Sequence, residues 1–230
     1  MRAVEFRGQL FKNWSFFLRR IPSLLFGLFL FAVAIVANLY SGLGMMPWGV
    51  LSVGVTKNTP LTLGQSSQII GLLVLALGWL SGSIPSLGTL ANMYFIGLFI
   101  DWIIAWELLP TPTAMAGKFG MLFASIVLIG VGSYFYLRVR LGAGPRDGLM
   151  MGLVKKLNQP VSYVRGAIEV TVLVIGFLLG GPVGIGTVIT ALTVGFSVQL
   201  AFKLGGYDKK TEHIDLRQLF RYLSGEDSLG

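Results

Sequence analysis

Six long apolar stretches alternate with short polar segments along the chain. They occupy residues 21–40, 61–82, 87–108, 119–137, 161–180 and 183–204. Each has about the 20 residues that a helix needs to cross a hydrocarbon core of roughly 30 Å. Because 54% of the 230 residues are hydrophobic and only 12% are charged, a soluble core of this size cannot bury them. The pattern predicts an all-α membrane protein with six transmembrane helices.

Short glycine–proline segments follow the first and the fourth stretch. Residues 42–57 are GLGMMPWGVLSVGVTK, and residues 141–156 are LGAGPRDGLMMGLVKK. Glycine allows a sharp turn, and proline suits the first turn of a helix, where its missing N–H group costs nothing. We therefore expect a tight loop at Gly142 and Gly144, then a helix from Pro145 to near Leu157. That helix is about 18 Å long, which is too short to cross the membrane.

Two arrangements of this short helix remain open. In the first, the glycine loop dips into the membrane, so the amino-terminal N–H groups face the protein interior and favour an anion. Broken backbone is tolerated at that depth only where protein buries it or a wet cavity adjoins it. In the second, the helix lies at the membrane surface and only connects two spans. The earlier segment, with Gly42, Gly44 and Pro47, has the same two alternatives on the other side of the membrane.

The two halves of the chain match at a constant separation of 98 residues. Pro47 matches Pro145, and Gly54 matches Gly152. Further along, GWLSGSIPSLGT from position 78 aligns with GFLLGGPVGIGT from position 176 at the same separation. A duplication explains this register, and repeats of this kind are common in transporters. Since each half holds three spans, we expect two inverted repeats, each with one short Gly-Pro half-helix.

Basic residues predict the orientation of the spans, because cytoplasmic loops carry an excess of lysine and arginine. The segment 138–160 carries Arg138, Arg140, Arg146, Lys155 and Lys156, and the first 20 residues carry Arg2, Arg7, Lys12, Arg19 and Arg20. The outer loops hold only Lys57 and Lys118. Both termini are therefore expected in the cytoplasm. The net charge of +8 is assigned to anionic lipid headgroups rather than to nucleic acid.

The chain divides into four parts on this reading. Residues 1–20 form a basic interfacial arm, 21–117 the first membrane repeat and 118–204 the second. Residues 205–230 form a cytoplasmic tail with a short amphipathic helix. The sequence has no cysteine, and its one histidine, His213, lies in this tail, so sites built from Cys or His ligands are not expected. Without a nucleotide or zinc motif either, we expect no cofactor, no metal and no enzymatic activity.

The polar residues of the two short segments and of the fifth span are the candidate binding residues. They are Gly42, Gly44, Pro47, Gly142, Gly144, Pro145, Arg146, Asp147, Arg165 and Glu169. Arg146 offers paired donors that suit a carboxylate or a sulfonate, and the helix dipole favours Asp147 beside it. Arg165 and Glu169 lie four residues apart, so they either form a structural pair or act on the site. Asp101 is either functional or an interfacial residue beside two tryptophans.

Three stretches resemble the YczE-like bacterial integral membrane proteins, a group that includes YyaS and is related to YitT. They are GAGPRDGLMMGL, then VRGAIEVTVLVIGFLLGG, then VGIGT from position 183. The resemblance covers nearly the whole membrane region. Gly195-Phe196 stands where the family would have Gly-Pro, which leaves the shape of the last span open. The resemblance implies a multi-pass protein of the bacterial plasma membrane and supplies no substrate and no binding residue.

Three functional hypotheses follow. The first is a secondary transporter or channel for a small, anionic organic solute, bound in a cavity between the repeats. The second is a non-transporting accessory or scaffold protein that binds a partner protein. An intramembrane enzyme is third, because Asp101 and Asp147, its candidate carboxylate pair, fall near opposite surfaces. The expected partners are the lipid bilayer, a small-molecule solute and further copies of the chain, and nucleic acid is not expected.

Overall fold

The structure is a computed structural model that describes residues 14–15, 17–207 and 214–224, and its regular elements there are all helical. The helices are α1 (Ile21–Tyr40), α2 (Pro47–Asn58), α3 (Leu63–Leu80), α4 (Leu87–Ala105), α5 (Met115–Leu137), α6 (Pro145–Leu157), α7 (Val161–Leu178), α8 (Ile185–Leu204) and α9 (Leu216–Ser224). Six of these, namely α1, α3, α4, α5, α7 and α8, are long and apolar enough to span a membrane. The prediction of an all-helical membrane protein with six spans is confirmed.

The helix bounds differ from the predicted ones mainly between α4 and α5. Helix α4 ends at Ala105 rather than at residue 108, because Glu107 adopts a left-handed φ of 51° that stops the helix. Helix α5 begins at Met115 rather than at residue 119. Helix α6 begins at Pro145 and ends at Leu157, as the sequence predicts.

Local sequence explains where several helices begin. A proline occupies the first turn of α2 and of α6, where its missing N–H group leaves no bond unmade. Helix α3 begins with a capping box, in which the hydroxyl of Thr62 accepts the backbone N–H of Gln65 and the Gln65 side chain accepts that of Thr62. Ser86 and Thr89 form the corresponding box at the start of α4. These contacts satisfy donors that a helix leaves unpaired at its amino end.

Helices α1 and α5 pack side by side and form the centre of the bundle. Gly27 of α1 lies against the backbone of Gly132 and Tyr136 in α5, so no side chain separates the two helices there. Small residues permit this approach, and van der Waals packing is a main attraction between helices in lipid. Helix α4 packs on α1, and α8 packs on α5.

The two short helices pack across the halves. Helix α2 lies against α7, and α6 lies against α3. Gly176 of α7 contacts the backbone of Leu51, and Gly78 of α3 contacts the backbone of Leu149. Leu51 and Leu149 are 98 residues apart, as are Gly78 and Gly176. The same contact is therefore made twice, at the separation found in the sequence.

One contact of the first half has no counterpart in the second. Helices α3 and α4 pack through Gly64 and Gly97, which approach each other's backbone. Helices α7 and α8, at the corresponding places, scarcely touch within the described ranges. Gly195, which matches Gly97 in the sequence, faces open space. The second half is therefore open along a side where the first half is closed.

The tail helix α9 covers the end of the bundle beside the second glycine loop. The Ile214 N–H donates to the Arg140 carbonyl at 3.0 Å, and Leu219 packs into an apolar cluster with residues of α1 and α5. Burial raises the pKa of the Tyr222 phenol, and the positive charge of Arg20 acts in the opposite direction. Most of the basic arm, at residues 1–13 and 16, and His213 lie outside the described residues.

Gly186→Ala should destabilise the protein, because its Cβ would lie 2.9 Å from the carbonyl oxygens of Leu43 and Gly44. Overpacking of this kind costs about 1–3 kcal/mol. Gly195→Ala in the same helix is the matched control, since that position faces open space and alanine is the better helix former. Thermal unfolding in detergent should show a lower midpoint for Gly186→Ala only. Equal midpoints for the two variants would contradict the close packing at the start of α8.

Candidate functional site

A glycine loop precedes each short helix. Gly44 has a φ of 102° and Gly142 a φ of 117°, values that glycine adopts without strain. Gly44 also lies against Gly184 at the start of α8, and Gly142 lies against Ser86 at the start of α4. A side chain at either loop position would collide with these neighbours. Both the backbone angle and the close approach therefore require glycine at Gly44 and Gly142.

Each loop is hydrogen-bonded to the first turn of the last spanning helix in the other half. The Gly186 N–H donates to the Leu43 carbonyl at 2.7 Å, and the Gly88 N–H donates to the Leu141 carbonyl at 2.7 Å. The two acceptor residues, Leu43 and Leu141, are 98 residues apart, and so are the two donor residues, Gly88 and Gly186. The two bonds satisfy helix donors and loop acceptors that would each cost several kcal/mol if left unpaired in apolar surroundings.

Threonine adds a side-chain bond to one of these junctions. The hydroxyl of Thr89 donates to the Ala143 carbonyl at 2.7 Å, and the phenol of Tyr136 donates to the Gly88 carbonyl at 3.0 Å. Both side chains are buried. Polar contacts from the first turn of α4 thus hold the second glycine loop. Tyr136 of α5 in turn donates a hydrogen bond to that first turn of α4.

Helix α6 begins beside the interior of α4 and ends beside the last turn of α3. At its start, Gly144 lies near the side chain of Asn92, in the second turn of α4. Toward its end, Gly152 lies against Ser81, which follows α3 directly. Helix α6 therefore lies along the end of α3 and the beginning of α4, with its amino end against the second turn of α4.

Helix α2 has the corresponding neighbours. At its end, the Lys57 ammonium donates to the Gly180 carbonyl at 2.7 Å, and Asn58 Nδ2 donates to the Leu179 carbonyl at 2.9 Å, both just after α7. At its start, the Met46 N–H donates to Oδ1 of Asn38, within α1, at 3.1 Å. Asn38 is fully buried, and its Nδ2 has no partner among the residues that the structure describes.

Arg146 and Trp48 hold matching places in the two halves, and they contact each other. The guanidinium carbon of Arg146 lies 4.5 Å from the centroid of the Trp48 ring, within the range of a cation–π interaction. At the edge of the same side chain, Trp48 Nε1–H donates to Oε1 of Glu169 at 2.9 Å. Trp48 is buried, Glu169 is half-buried and Arg146 is exposed. A cation, an aromatic ring and a carboxylate thus meet between the halves.

Arg146 and Glu169 both retain unused hydrogen-bonding capacity. Across the described ranges, the guanidinium makes its cation–π contact but no hydrogen bond, and it does not pair directly with Glu169. Glu169 accepts its one bond at Oε1, from Trp48. Desolvation by the surrounding protein lowers the pKa of the Arg146 guanidinium, and the negative charges of Glu169 and Asp147 act in the opposite direction. Trp48 therefore contacts both charged groups, the guanidinium at its ring face and the carboxylate at its Nε1 edge.

A cavity of about 30 Å³ adjoins this cluster. Its lining residues come from α1, the first glycine loop, α2, α3, α4 and α6: Ile35, Met45, Met46, Trp48, Gly49, Ser52, Leu63, Ser67, Ile100 and Arg146. A space of this size is large enough for water and far smaller than a site for an organic solute. Of the predicted candidate residues, Arg146 alone lines it, next to the two methionines that follow Gly44.

The remaining candidate residues lie around this cluster or apart from it. Arg165 is exposed and forms no ion pair with Glu169 in the part of the chain that is described, so the two do not neutralise each other. Asp147 is half-buried in the first turn of α6, and its N–H donates to the Gly144 carbonyl at 3.1 Å. Gly42 is exposed, Pro47 is half-buried and Pro145 is buried, each at the beginning of a loop or short helix.

Most of the chain, residues 18–203, matches the model of a family of unknown function, DUF6198. The chain belongs to this family. An uncharacterized protein of Haemophilus influenzae is 39% identical over 187 residues, which are 81% of this chain and 84% of the relative. YczE of Bacillus subtilis, an uncharacterized membrane protein, is 34% identical over 206 residues, 87% of this chain and 92% of YczE.

The resemblance to YczE-like proteins is therefore confirmed. A third relative, the uncharacterized protein YyaS of Bacillus subtilis, is 27% identical over 171 residues, 74% of this chain and 85% of YyaS. No solved structure matches the chain. Together with the six apolar helices, the YczE match identifies a multi-pass membrane protein.

Asp101 is a structural residue of the α3–α4 contact. Its Oδ2 accepts the Thr62 hydroxyl at 2.6 Å, and its Oδ1 accepts the Gly64 N–H at 2.8 Å. The carboxylate therefore caps the amino end of α3, where a negative charge is favourable. Of the two roles that the sequence leaves open for Asp101, the geometry supports an interfacial one.

Sequence reasoning assigns no role to Trp48, Asn38 or Asn92. The signal for Trp48 is its place opposite Arg146 in the alignment of the halves. Asn38 and Asn92 are lone amides in apolar spans, a costly placement that marks each of them for attention. Each lies beside the start of a short helix.

Asp101→Ala should lower stability by about 1–2 kcal/mol, because the Thr62 hydroxyl and the Gly64 N–H both lose their acceptor. Gln199→Ala is the matched control, since Gln199 lies 98 residues further on in α8 and is exposed. Unfolding in detergent, followed by circular dichroism, measures both variants. An equal loss of stability in the two variants would contradict the capping role of Asp101.

Proposed function

We propose that the protein is a secondary transporter or channel for a small organic solute, with Arg146 as its central binding residue. The observation that carries the proposal is the Arg146–Trp48–Glu169 cluster, in which an exposed guanidinium makes no hydrogen bond to any residue that the structure describes. A charged side chain within a membrane protein is costly and marks a pathway or a site. Planar paired donors on such a residue suit a carboxylate or a sulfonate.

The halves form an inverted repeat in this proposal. Support comes from contacts that recur at a separation of 98 residues, including the loop bonds of Leu43 with Gly186 and of Leu141 with Gly88. Three spanning helices in each half give the halves opposite orientations. In transporters with inverted repeats, the substrate site lies where the repeats meet, near the middle of the bilayer. Arg146 and Trp48 occupy such a place, because matching residues that touch must lie beside the axis relating the halves.

The short helices are re-entrant in the proposed arrangement. Their later turns lie beside the ends of α3 and α7, while the start of α6 lies beside Asn92 in the second turn of α4. In the proposed arrangement the amino ends point toward the middle of the bundle, where their N–H groups and dipoles favour negative charge. Asp147 in the first turn of α6 balances part of this charge.

A cavity of about 30 Å³ does not admit an organic solute, so transport requires the halves to move apart. The open side between α7 and α8 is where the second half has room to rearrange. The small cavity also favours the alternative function, an accessory protein that binds a partner and carries no solute. Solute binding that depends on Arg146 distinguishes the two functions.

The proposed location is the bacterial plasma membrane, with both termini and the α5–α7 connection in the cytoplasm. The natural chain has no cysteine, so a single introduced cysteine reports its own position. In intact cells, a cysteine at Asn158 should resist a membrane-impermeant thiol reagent. A cysteine at Thr111, between α4 and α5, should react. Labelling of Asn158 with protection of Thr111 would reverse the orientation.

Arg146→Ala should abolish solute binding while the protein stays folded, because the guanidinium makes no hydrogen bond to the part of the bundle that the structure describes. Arg146→Lys should bind about tenfold more weakly than the natural protein, since an ammonium cannot make paired contacts. Isothermal calorimetry of detergent-purified protein with acetate, propionate and ethanesulfonate provides the measurement. Thermal unfolding of each variant checks the fold.

Arg165→Ala serves as the matched control, because Arg165 is exposed on α7 and lies outside the cluster. Its removal should leave binding unchanged. If Arg146→Ala binds as the natural protein does, or if Arg165→Ala loses binding equally, the cluster is not the binding site. Absence of binding by the natural protein itself would favour the accessory function.

A further inference from the structure

We propose that the solute is a small zwitterion, with a carboxylate that binds Arg146 and an ammonium group that binds Glu169. This inference rests on the proposed function and assigns its substrate class. The inference rests on one juxtaposition: a guanidinium and a carboxylate contact the same indole, one at its face and the other at its Nε1 edge. Arg146 lies over the ring of Trp48, and Glu169 accepts the hydrogen bond of its Nε1.

The separation of the two charges is the first step of the argument. An arginine and a glutamate in low-dielectric surroundings gain most by forming a direct, bidentate ion pair. Arg146 and Glu169 do not form one in the described structure; the guanidinium lies over the Trp48 ring, and the carboxylate accepts the Nε1–H of the same ring. Each therefore keeps charge and hydrogen-bonding capacity for a further partner.

The net charge of the cluster is the second step. Arg146 contributes one positive charge and Glu169 one negative charge, and both groups contact Trp48, so these two charges balance. A solute with only a carboxylate would add an unbalanced negative charge to this pair, which is unfavourable away from water. A solute that also brings an ammonium group leaves the total charge unchanged and places its cation beside Glu169.

The shape of the cluster is the third step. The indole of Trp48 lines the small cavity together with Arg146, so an apolar surface adjoins the charged groups and suits the short carbon chain of a zwitterion. The other lining residues are apolar or small, among them Met45, Gly49 and Ser52. Among the described lining residues, Arg146 is the one cation, so a solute with two acidic groups would find no second positive partner there.

Three matched sets of probes test the charge requirement. They are glycine, acetate and methylamine; β-alanine, propionate and ethylamine; and 4-aminobutyrate, butyrate and propylamine. Within each set the compounds share a similar skeleton and differ in whether they carry both charges, the carboxylate or the ammonium. We expect at least one zwitterion to bind the natural protein about tenfold more tightly than both of its analogues in calorimetry.

Glu169→Gln provides the decisive variant, because it removes the negative charge and keeps the size of the side chain. It should abolish the preference for the zwitterion and bind the carboxylate-only analogue at least as tightly as the natural protein does. Arg146→Gln should lose the zwitterion and the carboxylate analogue alike. Arg165→Gln, one turn before Glu169 on α7, should change neither preference.

The outcomes separate this inference from the proposed function. If the carboxylate-only probes bind as tightly as their zwitterions and depend on Arg146, the assignment of a zwitterionic solute is wrong, while the proposed solute site at Arg146 stands. An unchanged preference in Glu169→Gln would overturn the role of that residue and with it the inference. If none of the probes binds the natural protein, the inference fails, and the ethanesulfonate titration is the one that is left to test the solute site.

Discussion

The fold depends on the pairing of backbone groups where the chain breaks inside the bundle. A glycine loop in apolar surroundings exposes carbonyl groups that lipid cannot satisfy, and the first turn of a helix exposes N–H groups with the same problem. The protein joins the two: the Leu43 and Leu141 carbonyls accept the N–H groups of Gly186 and Gly88. Each half therefore completes the other, and the glycines on both sides of the bond keep the two backbones close enough to form it.

The same junctions bring the polar residues of the centre together. Helix α2 is placed by its glycine loop and by contact with α7, which carries Glu169, while α6 carries Arg146 against α3. These contacts bring the guanidinium to the ring face of Trp48 and the carboxylate of Glu169 to its Nε1 edge. A cation–π contact stabilises a guanidinium without using its N–H donors.

The elements of the fold could be predicted because they depend on local sequence. Lengths of apolar stretches give the six spans, and proline in the first turn gives the start of α6. The site could be predicted only in part. A spacing of four residues places Arg165 and Glu169 on one face of a helix, but it cannot show that Glu169 turns toward Trp48 on α2. Asp101 likewise lies beside tryptophans in the sequence, while its partners Thr62 and Gly64 belong to another helix.

The contact between Arg146 and Trp48 has a consequence for how such a centre can arise. In an assembly of two identical copies of one half, residues beside the twofold axis would meet their own kind, arginine against arginine or tryptophan against tryptophan. Two guanidinium groups so close would repel each other, and two indoles would carry no charge. A single continuous chain removes this restriction, because each position mutates independently of its counterpart. In the proposed inverted repeat, covalent fusion thus allows two matching positions to hold a chemically unequal pair, Arg146 against Trp48.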